Sequence, residues 1–397
     1  MSQPLGDGFR RVGLPLVLFF ATAASMVLTA AASAPVLVPA GEFPGFWQLI
    51  GLALSDETAR TNAFAMAGSL LAILTAHEAG HYVAARLHDV PVSLPHFLPL
   101  PLLSPFGTMG AVIRMPAPVR SRLKLFDIGA AGPIAGLVVA LPLYAYGISI
   151  STRMPRAEAL GQGVELGSSL LSLGIEALFA PTGAANTELV LSPMAYGAWG
   201  GFLLTMLNLL PIAQLDGGHV ATALFGDRWW HAACILHRLM LLVFVVLALG
   251  PGAWALGHGA AFTLLPHAGR ATFWLVWSQF VGAIAGGGAG GGAGEGAGGD
   301  AGPRRRGVPV RMRIVVTVAI AYLGANSLVR ASELWTALWL LGTAFLLVAD
   351  IFTTGFFDSN LAHPRVSETE LGPLRKVLAV CTLAIFAALL MAWPMSV

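Results

Sequence analysis

Charge is what this sequence most lacks. Only 11% of its 397 residues are Asp, Glu, Lys or Arg, against about 25% in an ordinary soluble domain. Apolar residues make up 56% of the chain and its mean hydropathy is +0.76. Too little polar surface remains to cover a soluble protein of this size, and the same numbers exclude a disordered chain. Cysteine is nearly absent as well. Cys234 and Cys381 both lie inside apolar runs, where they read as small buried residues. Neither a disulfide framework nor a thiolate metal site follows from them. The formal net charge is only +2, and its Arg residues sit in short clusters between apolar runs, which is not a nucleic-acid footprint. No cleavable signal peptide stands out either, because the apolar run after Arg10 and Arg11, from Val12 to about Val36, is long enough to span a bilayer.

What is there reads as an all-α polytopic membrane protein of roughly eight to nine transmembrane helices. Stretches with little or no charge give candidate spans at Val12–Gly41, Thr61–Arg86, Leu125–Ile150, Pro193–Leu215, His231–Leu249, a broken stretch Trp254–Ala285, Ile314–Val329, Leu334–Ile351 and Val377–Trp393. A polar loop with a short interfacial helix is expected between Ser151 and Ser192. Pro91–Pro118 differs from all of these. Seven prolines among apolar residues forbid a long helix there, and Phe106–Arg114 has the character of a short strand. Apolar non-helical chain is tolerated at membrane depth only when protein or a wet cavity covers it, so a re-entrant segment or β-hairpin is expected. Gly286–Gly302 is almost pure Gly and Ala, a flexible linker. The chain therefore divides into an N-terminal helix and loop (1–60), a core (61–230), further helices (231–285), the linker (286–307) and C-terminal helices (308–397). Three basic clusters, at Arg10–Arg11, Arg86–Lys124 and Arg304–Arg313, place the N-terminus and the end of the second span in the cytoplasm by the positive-inside rule.

The sharpest motif is His77-Glu78-Ala79-Gly80-His81, near the end of that second span. On a helix, residues four apart share a face. Two imidazoles so placed can bind one zinc ion, and the intervening Glu can act on water at the metal. Ionisable side chains in a membrane helix are costly and usually functional. A catalytic zinc usually takes three protein ligands and leaves one position open. Asp216, in Asn208-Leu-Leu-Pro-Ile-Ala-Gln-Leu-Asp216-Gly-Gly-His219, is the best third candidate, and His219 is a weaker rival. Asp-Gly-Gly is also good chemistry for a helix-ending turn. His88, His96, His231, His237, His258, His267 and His363 have no partner pattern and read as structural or interfacial residues.

Four segments together carry a family resemblance: His77–His81, Pro95-His-Phe-Leu-Pro99 through Arg114, Gly129-Ala-Ala-Gly-Pro-Ile-Ala-Gly136, and Asn208-Leu-Leu-Pro through Asp216-Gly-Gly. In order and spacing they resemble the site-2 protease family of intramembrane zinc metalloproteases, in particular the plastid and bacterial branch without an inserted PDZ domain. The resemblance implies one zinc per chain held by His77, His81 and Asp216. It implies Glu78 as general base and Asn208 as a group that binds the scissile backbone or the oxyanion. It also implies a transmembrane protein substrate, such as an anti-sigma factor or a membrane-bound transcription factor, met within the lipid bilayer. It says nothing of the C-terminal helices.

Two other functions compete. A transporter also uses intramembrane His, Asp and Asn, but it calls for a repeated half with matching broken helices, and the sequence shows none. A catalytically silent family member acting as a membrane scaffold calls for a lost ligand or an altered Glu78, and all four positions are intact.

Overall fold

A computed structural model describes residues 9–33, 55–101, 104–156, 165–184, 186–229, 231–240 and 369–391, with a few single positions besides. The expected spans at 254–285, 314–329 and 334–351, and the Gly-rich linker, lie outside the described residues, as does most of 241–249. The described chain divides into two compact units, Met1–Gln162 with Ser169–Leu210 and Thr369–Leu390, and Gly163–Ser168 with Pro211–Glu368 and Met391–Val397.

The first unit is helical. A π-helical turn, Phe9–Gly13, leads into α1 (Leu14–Ser33). α2 (Glu57–Leu87) starts earlier than the charge pattern predicts. Asp56 caps it, its Oδ1 accepting from the Ala59 N–H at 2.6 Å, so Glu57 and Arg60 become helical instead of marking a loop. α3 (Arg122–Ser149) is capped by Ser121 and contains Pro133 and Pro142. α1, α2 and α3 are the helices among the described residues that are long and apolar enough to cross a membrane, and they support integration of the chain into a bilayer. α2 packs on α1, on α3 and on α5 (Pro193–Asn208), and α3 packs on α5. Leu70, Ile73, Ile148, Trp199, Phe202, Leu203 and Met206 fill this contact and are almost wholly buried. Between helices in a bilayer such contacts stabilise through van der Waals packing, since lipid tails are as apolar as the side chains.

The proline-rich segment forms the expected hairpin. β1 (His96–Pro99) pairs antiparallel with β2 (Thr108–Val112), with His96 opposite Val112 and a register shift before Pro99. Phe97 sits edge-on to Phe19 of α1 with ring centroids 5.1 Å apart, and Phe106 lies against Tyr196 and Trp199 of α5. The hairpin is thus covered by protein on its apolar side, the condition that irregular backbone at membrane depth requires.

The loop expected at 151–192 has more order than its polarity suggests. β3 (Thr152–Pro155) pairs antiparallel with β4 (Thr187–Val190), and between them lies α4 (Leu170–Phe179), opened by a capping box between Ser169 and Ser172. α4 buries little besides Ser172 and presents Leu170, Leu173, Leu178 and Phe179 outward, the character of an interfacial helix.

In the second unit the chain turns through 211–215 into α6 (Asp216–Phe225). The expected span Pro193–Leu215 therefore stops at Asn208, and Asp216-Gly-Gly opens a helix where helix-ending turn chemistry is expected. The reason is local. Leu210 N–H tightens to the Leu207 carbonyl, Pro211 has no N–H to continue the ladder, Ala213 takes φ +52°, and the carboxylate at the first helical position complements the helix dipole. Trp229 Nε1 donates to the Pro211 carbonyl at 2.8 Å and its ring stacks on Phe225, which ties the turn to the end of α6.

Near the other end of the chain, α7 (Pro373–Leu389) corresponds to the last expected span, starting four residues earlier than Val377. It belongs to the first unit and packs on α3, α4 and α5. Cys234 is buried as expected, whereas Cys381 lies on the outward face of α7 and is exposed. An apolar run does not reveal which face of its helix meets protein.

Candidate metal centre

The expected helix carries the motif. His77, Glu78 and His81 all lie on α2, and they are 3%, 4% and 6% exposed. Their burial comes from α3 and α5, which cover this side of α2. The two imidazoles meet edge to face, with His77 Nε2 and His81 Nε2 3.1 Å apart.

That distance tests whether the pair suits a metal ion. Zinc binds His nitrogen at about 2.0–2.1 Å in tetrahedral geometry, which puts two ligating nitrogens about 3.3 Å apart. The observed separation is close to this. His81 Nδ1 lies 2.7 Å from the Ile128 carbonyl oxygen. A carbonyl can only accept, so Nδ1 carries the proton and the lone pair is on Nε2, the nitrogen facing His77. This is the usual way a metal-binding histidine is oriented. The donor set and its support therefore fit zinc.

Space for the rings comes from α3. A Cβ at Gly132 would overlap the His81 imidazole, at Nε2, Cδ2 and Cε1 together. A Cβ at Gly136 would stand 3.2 Å from His77 Cβ and 3.3 Å from its Nδ1. The contact is reciprocal at Gly80, where a Cβ would come within 2.5 Å of the Ala131 carbonyl. Small residues such as these let helices approach closely. The structure adds that two of them leave the volume that the imidazoles occupy. Ile128 has no signal in the sequence, because its role belongs to a backbone carbonyl.

Asn208 ends α5, and its Nδ2 lies 3.3 Å from His77 Nε2. Thus three residues predicted from two separate segments, His77 and His81 from one and Asn208 from the other, meet in the first unit, with Glu78 buried on the helix of the histidines. Asp216 is the first residue of α6 in the second unit and is partly buried. Gly218 allows the carbonyls of Ile212 and Ala213 to approach the first turn of α6; a Cβ there would be 2.6 Å from the Ile212 oxygen. Of the histidines without a partner pattern in the sequence, His88 pairs with Asp127 at 2.8 Å and His96 lies in β1.

Comparison with known proteins bears on this same stretch. Residues 65–249 match the family model described as Peptidase family M50. The protein named "Probable zinc metalloprotease EGY1, chloroplastic" from Arabidopsis thaliana is 32% identical over 169 residues, covering 42% of this chain and 30% of that protein. Its namesake from Oryza sativa subsp. japonica is 32% identical over 171 residues, 42% of this chain and 28% of that protein. "Probable zinc metalloprotease EGY2, chloroplastic" from Oryza sativa subsp. indica is 31% identical over 161 residues, 40% of this chain and 28% of that protein. The chain thus spans less than a third of the length of these curated relatives. No solved structure matches it. The matched segment includes His77, Glu78, His81, Asn208 and Asp216, and with a histidine pair of zinc-binding geometry near its start, residues 65–249 are similar to peptidase family M50, the site-2 proteases.

Proposed function

We propose that this chain is an intramembrane zinc metalloprotease that hydrolyses peptide bonds in or near the transmembrane segments of membrane proteins. The observation that carries the reading is the buried His77–His81 pair, held by the Ile128 carbonyl and given room by Gly132. His77, His81 and Asp216 would hold one zinc ion, a two-imidazole, one-carboxylate set of the kind that leaves a position open in catalytic sites. Zinc, when bound there, would polarise the scissile carbonyl and bring the pKa of water from 15.7 to about 7.

The remaining work falls to the chain's own residues. Glu78 takes the proton of the attacking water and returns it to the leaving amine. Its position on α2 between the two histidines, and its burial, support this role. Asn208, at the end of α5 beside His77, orients the scissile peptide or donates to the oxyanion that forms on it. A transmembrane substrate must first unwind, since its amides are hydrogen-bonded within its own helix. The β1–β2 hairpin offers a strand edge on which the unwound chain can pair. Burial of the motif within packed helices excludes bulk water, which strengthens each of these electrostatic interactions. The basic clusters of the sequence put the N-terminus and the active-site end of α2 on the cytoplasmic side.

The test is the zinc content of the detergent-purified chain, measured beside Asp216→Ala and a His77→Ala/His81→Ala double variant. About one zinc per chain, lost or strongly weakened in both variants, is the expected outcome. A well-folded protein without zinc, or with zinc indifferent to both changes, would remove the metalloprotease reading.

A further inference from the structure

α7 lies outside the stretch that matches the protease family, yet it belongs to the same compact unit as the histidine pair. Its first turn is fixed by charge. Arg375 Nε and a terminal guanidinium nitrogen donate to the two oxygens of Asp127 at 2.9 and 3.0 Å, a two-pronged fork. His88 Nε2 donates to the same carboxylate at 2.8 Å, and Lys124 Nζ donates to the His88 carbonyl at 2.7 Å.

The partners of this network matter more than its size. His88 is the C-terminal capping residue of α2, seven residues beyond His81. Asp127 directly precedes Ile128, whose carbonyl holds His81 Nδ1. One carboxylate therefore ties together the end of the metal-binding helix, the start of the helix that orients His81, and the start of α7. Asp127 and His88 have side chains 22% and 23% exposed, and Arg375 38%. A single exposed ion pair stabilises little, but a bidentate Arg–carboxylate pair within a partly buried network fixes geometry as well.

Building on the zinc-protease reading, we infer that Arg375 is a positioning residue for the metal site. Through Asp127 it holds the second turn of α3 against the end of α2, and so keeps the Ile128 carbonyl aligned with His81. The C-terminal helix is then a working part of the protease core.

The test uses the full-length protein in detergent, stripped of metal. Zinc dissociation constants are measured by competition with a chelator, and the absorption spectrum of the cobalt-substituted protein reports ligand geometry. Arg375→Gln and Arg375→Lys are compared with wild type, with His77→Ala/His81→Ala as the control. Support of a metal-binding histidine is worth about 10–100-fold in affinity. Because Arg375 acts one step further out, about tenfold weaker zinc binding is expected for Arg375→Gln, with a shifted cobalt spectrum. Arg375→Lys, which keeps the charge but loses the fork, should fall between Arg375→Gln and wild type. Zinc binding and a cobalt spectrum unchanged in Arg375→Gln would overturn the inference. If Arg375→Gln does not fold, Arg375→Lys decides alone, and wild-type affinity and spectrum in it would overturn the inference. Zinc retained by the double-histidine control would instead bring down the metalloprotease reading itself, so the two failures are distinguishable.

Discussion

Replacing Gly132 with alanine puts a methyl group on the His81 imidazole, in contact with three of its ring atoms at once. Non-bonded carbon contacts settle at about 3.5–4.0 Å, so the ring or the helix must retreat by about 1 Å. Zinc–ligand distances tolerate only about ±0.2 Å. His81 cannot swing aside without losing the 2.7 Å bond to the Ile128 carbonyl, and α3 cannot back away without opening its contact with Gly80. The variant should therefore lose zinc affinity by at least about tenfold, the lower end of what disturbing a ligand's support costs. Overpacking should also lower stability by about 1–3 kcal/mol. Gly68→Ala is the matched control on α2, because a Cβ there meets nothing within 4 Å. It should bind zinc normally and gain up to about 1 kcal/mol from helix propensity. Chelator competition and thermal unfolding of both variants measure the difference. A Gly132→Ala protein with wild-type zinc affinity would refute the account of how α3 makes room for the ligand.

The metal site and the hairpin give four further expectations. Glu78→Gln should keep zinc and lose proteolysis, while Asn208→Ala should keep zinc and lose about 10²–10³ in kcat; zinc content with a cleavage assay checks both, and proteolysis retained by Glu78→Gln would remove that residue from the chemistry. At the hairpin, Gly107 sits at φ +73° with its α-carbon side pressed on α1, where a Cβ would come 2.5 Å from the Ser25 carbonyl and 2.7 Å from Thr29 Oγ1. Gly107→Ala should therefore destabilise the protein by about 1–3 kcal/mol in a thermal melt, and slow cleavage as the hairpin shifts. A substrate peptide N-methylated beside its cleavage site should likewise be cut more slowly if it pairs on a strand edge, and an unchanged rate would exclude that docking mode.

A good deal of this architecture is determined by residues close together along the chain. The scarcity of charge marks it as a membrane protein, because a bilayer removes the need for a polar surface. Spacing of four residues between His77 and His81 puts both rings on one helix face, since that follows from the 3.6-residue turn alone. Seven prolines within Pro91–Pro118 excluded a long helix and left a hairpin as the natural alternative. Each of these depends only on neighbours along the chain.

Other features required the folded chain. Helix starts moved because a single cap, Asp56 for α2, outweighs the charge pattern. The end of α5 at Asn208 and the start of α6 at Asp216 depend on a turn whose backbone angles no apolar run encodes. Which face of α7 turns outward, and hence the exposure of Cys381, depends on what packs against it. The Ile128 carbonyl, the space left by Gly132 and the Arg375–Asp127–His88 network join residues 47, 51, 248 and 39 positions apart. Periodicity is a property of one segment, whereas these contacts are made only when separate helices pack together, so only the tertiary structure could decide them.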